Sequence, residues 1–359
     1  MPRFSPSNRN ERTWWTALAE ASGLSVVTVY NRRLLPVAFA GIEEDCAHLK
    51  RAVQIWDVGC ERQVRITGPD AHRLMQRLTP RDLDRVPPDR LAYVPVCAAD
   101  GGMLGDPVAM PLPGGGWQVS AADCDLRLWA EGVAEGAGMD VRLDDPGTQL
   151  LALQGPEAAT VACRVLGADL ADLPAFGIGR VRFAGTGMVV TRSGYSHLDG
   201  FEIHVPDETL AVPLWQALAE AGRAADIRAG CPNAAERIEG GMLSYGNDMT
   251  RDDTPFDAGL GAFVERFDCI GGAALRTRPR RRRIAALALE GHPPECDREW
   301  PVTRGGRRIG RVRSAAWSAE FGCGVAIAMV EADSPAGDGY LCLTQEGPLG
   351  AHLRDAFWR

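Results

Sequence analysis

At 359 residues the chain exceeds one average domain, so two or three domains are expected. Apolar residues make up 45% and charged residues 24%, a balance that lets a globular core form without a metal or a disulfide framework. The net charge of −8 and pI near 5.4 argue against nucleic acid as the main partner, because phosphate binding needs a dominant basic surface.

The first forty residues read as irregular. The opening MPRFSPSNRNERTWW lacks the apolar core of a signal peptide, and no apolar run approaches the roughly 18 residues of a membrane span. A helix follows over residues 43–53. Residues 63–67 alternate like a strand, and Gly68–Pro69 opens a helix through Leu78. Residues 82–95 read as loop and strand. Residues 117–120 form a short strand, Gly114–Gly116 a hairpin turn, and Asp123 suits an N-cap for the next helix. The strand 151–154 followed by Gly155–Pro156 repeats the earlier strand–Gly–Pro–helix pattern and hints at two similar α+β units.

Strands are expected at 188–191 and 201–205 with a turn over 193–200 between them, and helices at 208–221 and 233–243. From residue 284 the pattern changes to short strands with glycine turns (284–289, 308–313, 324–330, 340–343), which suggests a small β-barrel or sandwich. The junction Arg276–Arg283, RTRPRRRR, has two readings: a solvated linker, or an attraction for an anionic ligand tail.

Ten dispersed cysteines without a CxxC pair signal neither a zinc ribbon nor a redox site and suit reduced thiols in a cytosolic protein. There is no GxxxxGK[ST] loop, no HExxH helix, no strand–GxGxxG–helix unit and no GxSxG elbow. The only lysine, Lys50, lies in a solvated helical stretch, which leaves Schiff-base chemistry little support. The reactive group is therefore expected to arrive on a ligand, with no metal.

Five long stretches carry the strongest signal: WDVGCERQVRITGPDA (56–71), LTPRDL (78–83), YVPVCAADGGMLGDPV (93–108), RSGYSHLDGFEIHVP (192–206) and RAGCPNAAERIEGGMLSYGNDMT (228–250). In order and spacing the chain resembles the glycine-cleavage T-protein (aminomethyltransferase) superfamily, closest to its dimethylsulfoniopropionate demethylase branch. The resemblance covers about residues 27–330. It implies an α+β fold of the three-domain cloverleaf type: two interleaved α+β lobes in residues 1–278 and a C-terminal β-barrel in 279–359. It implies tetrahydrofolate as cofactor and a small methylated substrate, in a cytoplasmic monomer or homodimer with no nucleic-acid or membrane partner.

The resemblance assigns residues as well. Glu202 corresponds to the carboxylate that anchors the pterin, and adjacent N–H donors of that ring suit one carboxylate. Alternation puts Phe201, Ile203 and Val205 on one strand face and Glu202 and His204 on the other. Tyr195 and Tyr93 match aromatics near the folate. Asp106 matches the aspartate facing the reactive nitrogens, with an electrostatic and orienting role. The expected catalytic set is Asp106, Tyr93 and His204; the expected cofactor-binding set is Glu202, Tyr195, Tyr93 and Asp106.

Departures from the aminomethyltransferases are Glu61 for a methionine, Ala121 for a folate-contacting asparagine, and Asn233 for an arginine. They favour the demethylase branch. His204 departs from that branch, which tends to carry tyrosine there. An imidazole titrating near pH 6.5 would, when cationic, repel a sulfonium, so activity is expected to fall with pH through that value. Two other readings stay open: a methylene-tetrahydrofolate-dependent aminomethyl or hydroxymethyl transferase, and a non-catalytic folate-binding relative.

Overall fold

The structure is a computed structural model that describes residues 10–121 and 123–359. Most of the opening segment read against a signal peptide thus lies outside the described residues. The chain divides into two compact units. The first comprises Met1–Gln63, Asp145–Gly194 and Leu198–Pro232; the second comprises Val64–Asp144, Tyr195–His197 and Asn233–Arg359.

A six-stranded sheet organises the first unit, in the order Ile178–Phe183, Thr186–Thr191, Gly200–Val205, Gln149–Gln154, Gln54–Asp57, Arg228–Gly230. All neighbours pair antiparallel except the last two, which run parallel. Period-two alternation sends Ile55, Leu151, Leu153, Val190, Phe201, Ile203 and Val205 into one core, where helices Ala158–Leu166 and Ala211–Ala221 contribute Val161, Ala162, Leu214 and Leu218. Register lines up Thr191, Glu202, Ala152 and Trp56 across the opposite face, with Val189, His204 and Leu150 in the row beside them. The alternation read from FEIHV is therefore the one the fold uses.

Residues 10–40 are more regular than expected. They hold the helix Thr16–Ala21 and an antiparallel hairpin, Val26–Tyr30 with Arg33–Ala38. The turn residues Asn31 and Arg32 both have positive φ, 50° and 63°. Such a turn is usually written Asn-Gly or Asp-Gly, and here the second position is arginine, so the usual hairpin signal is missing.

In the second unit, a five-stranded sheet runs Arg142–Asp144, Arg62–Thr67, Trp117–Ala121, Val108–Pro111, Ala92–Tyr93. Helices Ala71–Leu78 and Leu126–Gly136 cover it with Leu74, Met75, Leu78, Leu126 and Ala130. The N-cap position of the second helix is Asp125, not Asp123. Gly114–Gly116 form the expected hairpin turn, all at positive φ. The strand–Gly–Pro–helix pattern occurs in both places where the sequence shows it, and its glycines have a shared cause. Gly68 (φ 109°) and Gly155 (φ 122°) would each bring a Cβ against a main-chain oxygen, 2.7 Å from Asp140 and 2.4 Å from Ala52.

The C-terminal strands close into a six-stranded barrel: Arg282–Leu289, Cys323–Glu331, Arg307–Ser318, Trp300–Arg304, Gly337–Thr344 and Gly347–Leu353. Leu287, Trp300, Val302, Val312, Ala326, Tyr340 and Leu353 fill it. Two of these strands escape the sequence pattern: Pro301 interrupts one, and Gly347, Pro348 and Gly350 dilute the other. The helix expected over 233–243 is shorter, Ala234–Glu239, because Gly240–Gly241 ends it with Gly241 at φ 69°.

Candidate functional site

Glu202 is half-buried on the strand Gly200–Val205, in the row with Thr191, Ala152 and Trp56. The Ser193 hydroxyl donates to its Oε2 at 2.5 Å, and Ser193 Oγ lies 2.7 Å from Thr191 Oγ1. Burial raises the pKa of the Glu202 carboxyl, and the Ser193 hydrogen bond opposes that rise. The turn that carries Ser193 is fastened by a bidentate pair, Arg192 to Asp199 at 2.8 and 2.9 Å, and by Arg192 donating to the Leu173 carbonyl at 2.7 Å. Gln154 donates to the Ser193 carbonyl at 3.1 Å, and its amide packs so closely on Gly194 and Gly200 that neither has room for a Cβ. Glu202 is expected from the sequence, whereas its partner Ser193 is not; the Ser–Gly start of the turn is the only signal for it.

His204 shares the face of Glu202 and is 8% exposed. Burial pushes its imidazole pKa down to about 4, so the ring is neutral at ordinary pH. The titration expected near pH 6.5 is thereby moved out of the working range.

Tyr93, Asp106 and Tyr195 all belong to the second unit. The Tyr93 hydroxyl donates to Oδ2 of Asp106 at 2.7 Å, and its ring packs on Phe263 with centroids 5.0 Å apart. Asp106 follows the strand Met103–Gly105, which Tyr245 holds by donating to the Met103 carbonyl at 2.9 Å. Oδ1 of Asp106 is buried without a hydrogen-bond partner. Burial raises the pKa of this carboxyl to about 7, with the Asp248 charge adding to the rise and the Tyr93 hydroxyl opposing it. Tyr195 donates to the Met242 carbonyl at 3.4 Å, and burial lifts its phenol well above the usual range.

Comparison with known proteins gives the family. Residues 12–267 match the GCVT N-terminal domain, and residues 282–350 match the glycine cleavage T-protein C-terminal barrel domain. The chain is 46% identical over 364 aligned residues to dimethylsulfoniopropionate demethylase DmdA of Ruegeria pomeroyi, covering 100% of each protein. It is 33% identical to an aminomethyltransferase of Rubrobacter xylanophilus over 89% of this chain and 86% of that one. The crystal structure of aminomethyltransferase T of the glycine cleavage system from Bartonella henselae superposes with a TM-score of 0.86 at 22% identity, covering 97% and 98% of the two chains. This chain belongs to the glycine-cleavage T-protein family. It is a tetrahydrofolate-dependent one-carbon transferase with the α+β T-protein fold.

The residues present suit the T-protein cofactor. Oδ1 of Asp106 is a buried acceptor with no protein donor, and Glu202 is a carboxylate on a half-buried strand face with a serine on one oxygen. Both match the needs of a ring system rich in N–H groups. No helix among the described residues is long and apolar enough to cross a membrane.

The longest of the family-like stretches, residues 228–250, also has a structural role. Arg237 donates to Asp248 Oδ2 at 2.7 Å and to Ser314 Oγ at 2.7 Å, and Ser314 donates to Asp248 Oδ1 at 2.6 Å. Ser318 donates to Glu239 at 2.7 Å. Ser314 and Ser318 lie on the barrel strand Arg307–Ser318, so the motif ties its own short helix to the barrel. Asn233, in place of an arginine, is the N-cap of that helix and accepts from the amides of Ala235 and Glu236.

Proposed function

We propose that this transferase demethylates dimethylsulfoniopropionate, the compound named for its Ruegeria pomeroyi relative. The observation that carries the reading is the 46% identity to that demethylase over the full length of both chains. Tetrahydrofolate supplies the nitrogen nucleophile that accepts the methyl group. Glu202 accepts hydrogen bonds from the pterin edge, with Ser193 fixing the rotamer of the carboxylate. Asp106, held by Tyr93, orients the reactive nitrogens and in its ionised form opposes the positive charge that develops on them. Tyr195 lines the folate. His204 stays neutral, so the strand face of Glu202 presents no cation to repel a sulfonium, and the imidazole is left to position the substrate carboxylate. Alignment supplies most of the acceleration, since a sulfonium leaves as a neutral sulfide and the carbon transfer needs no strong base.

A methylene-tetrahydrofolate-dependent aminomethyl or hydroxymethyl transfer is the second reading, favoured by the 33% identity to an aminomethyltransferase. The proposal also takes residues 1–278 as the folate-binding region and 279–359 as the barrel domain. It sets the enzyme in the cytoplasm as a monomer or homodimer, with no nucleic-acid or membrane partner. The test incubates the enzyme and tetrahydrofolate with dimethylsulfoniopropionate, glycine betaine, sarcosine or a methoxy-aromatic acid and follows methyl-folate by mass spectrometry. Product from dimethylsulfoniopropionate is the expected result. Absence of methyl-folate with every donor sinks the demethylase reading and moves the methylene-folate reading to first place.

A further inference from the structure

The run Arg276–Arg283 joins the end of the helix Gly272–Thr277 to the first barrel strand, Arg282–Leu289. Arg276, Arg278, Arg280 and Arg281 are exposed, and among the described residues none has a carboxylate within 4.0 Å. Their neighbours differ: Arg251 pairs with Asp100, Arg266 with Asp82, Asp84 and Asp268, and Arg282 with Asp253 and Asp257. Neutral groups hold three of the four. Arg278 donates to the main-chain oxygens of Asp100 (3.4 Å) and Asp252 (3.2 Å). The guanidinium of Arg280 lies 3.8 Å over the Phe256 ring, and that of Arg276 lies 4.9 Å over Phe267. Carbonyls and ring faces orient a guanidinium without cancelling its charge. A protein of net charge −8 thus keeps a local cluster of oriented cations.

We propose that this cluster receives the oligo-γ-glutamate tail of the folate. The inference rests on the folate reading above. Each γ-linked glutamate leaves a free α-carboxylate, so the tail is a regularly spaced array of anions, and guanidinium forks suit carboxylates. The place is consistent. Asp100, which Arg278 touches, precedes Asp106 by six residues in one segment of the same compact unit, a reach of at most about 20 Å. Asp100 and Asp252 meet the cluster through their main-chain oxygens, and the Asp100 carboxylate is already paired with Arg251.

The test is calorimetric binding of tetrahydrofolate monoglutamate and pentaglutamate to the full-length enzyme at low and high salt. The parent should bind the pentaglutamate about fivefold or more tightly at low salt, a margin set by several exposed ion pairs and reduced by screening. Arg278→Gln/Arg280→Gln/Arg281→Gln should keep monoglutamate affinity within about twofold and lose the preference. Because Arg280 and Arg278 also make protein contacts, Arg281→Glu provides a second variant at an exposed position, and it should lower the preference by itself. Equal affinities in the parent, or a preference unchanged in Arg281→Glu, overturn the proposal. Failure of the parent to bind either form removes the folate reading and this inference together.

Discussion

The hydroxyl of Tyr93 donates to one oxygen of Asp106 at 2.7 Å, while the other oxygen is buried with no hydrogen-bond partner. Burial holds this carboxyl at a pKa of about 7, so near neutrality it divides between its acid and its anion. If the anion is the working form, kcat/KM rises with pH through about 7 and levels off above it. Tyr93→Phe removes a hydrogen bond that favours the anion, which raises the carboxyl pKa and moves the rise to higher pH. Asp106→Asn should flatten the profile and slow single turnover by about a hundredfold, a typical loss for a charge-stabilising group. A profile that keeps its shape in Asp106→Asn assigns the titration elsewhere.

Glu202 should matter for affinity more than for rate. Glu202→Ala removes a charged acceptor from the pterin edge, a loss of about 1.5–3 kcal/mol in tetrahydrofolate binding. Ser193→Ala leaves the carboxylate but frees its rotamer, and the loss should be smaller, about 1 kcal/mol. Calorimetry at one pH separates the two. Unchanged affinity in Glu202→Ala would end its assignment as the anchor.

The repeated Gly–Pro junction yields a stability prediction. Gly155 combines φ of 122° with a missing Cβ that would lie 2.4 Å from the Ala52 oxygen. The oxygen belongs to the main chain and the Cβ direction is fixed by the Gly155 backbone, so neither moves aside cheaply. Gly155→Ala should cost at least about 1–3 kcal/mol in denaturant unfolding, and Gly68→Ala should behave alike. A variant as stable as the parent would show that the junction relaxes.

Those junctions illustrate what the sequence exposes. Gly68–Pro69 and Gly155–Pro156 are written in residue types with few conformational alternatives, and FEIHV is written in strict alternation, so both were legible. The hairpin at Val26–Ala38 was not, because its turn uses Asn31–Arg32 where a glycine would advertise the positive φ. At the candidate site, Glu202, Asp106 and the tyrosines are proposed from long motifs that resemble a family, and the structure adds their partners. Their energetics were not legible in the sequence. Whether Asp106 has a second hydrogen-bond partner, or whether His204 sees water, depends on residues distant in sequence, such as Tyr93, Leu150 and Val189. The same holds for the motif at 228–250, whose Arg237 and Glu239 meet serines of the barrel more than seventy residues away.

His204 offers a test that needs no substrate. In the unfolded chain an imidazole titrates near 6.5, whereas in the fold burial lowers this one to about 4. The unfolded state therefore binds a proton first as pH falls. The stability that depends on a neutral His204 is fully present above pH 6.5 and is lost as pH drops from there toward 4, by at most about 3 kcal/mol. His204→Phe keeps an aromatic ring on the strand face and has nothing to titrate. Buried carboxyls such as Glu202 and Asp106 have raised pKa values and work in the opposite direction, but they do so equally in both proteins. Urea unfolding at steps between pH 7.5 and 4.5 should show the parent losing more stability than the variant, with the difference growing only below about 6.5. Demethylation by the parent should show no decline at that pH arising from His204, since the imidazole is already neutral there. Equal slopes of stability against pH in the two proteins would mean that His204 is solvated in solution, and the case for a neutral strand face beside Glu202 would go with it.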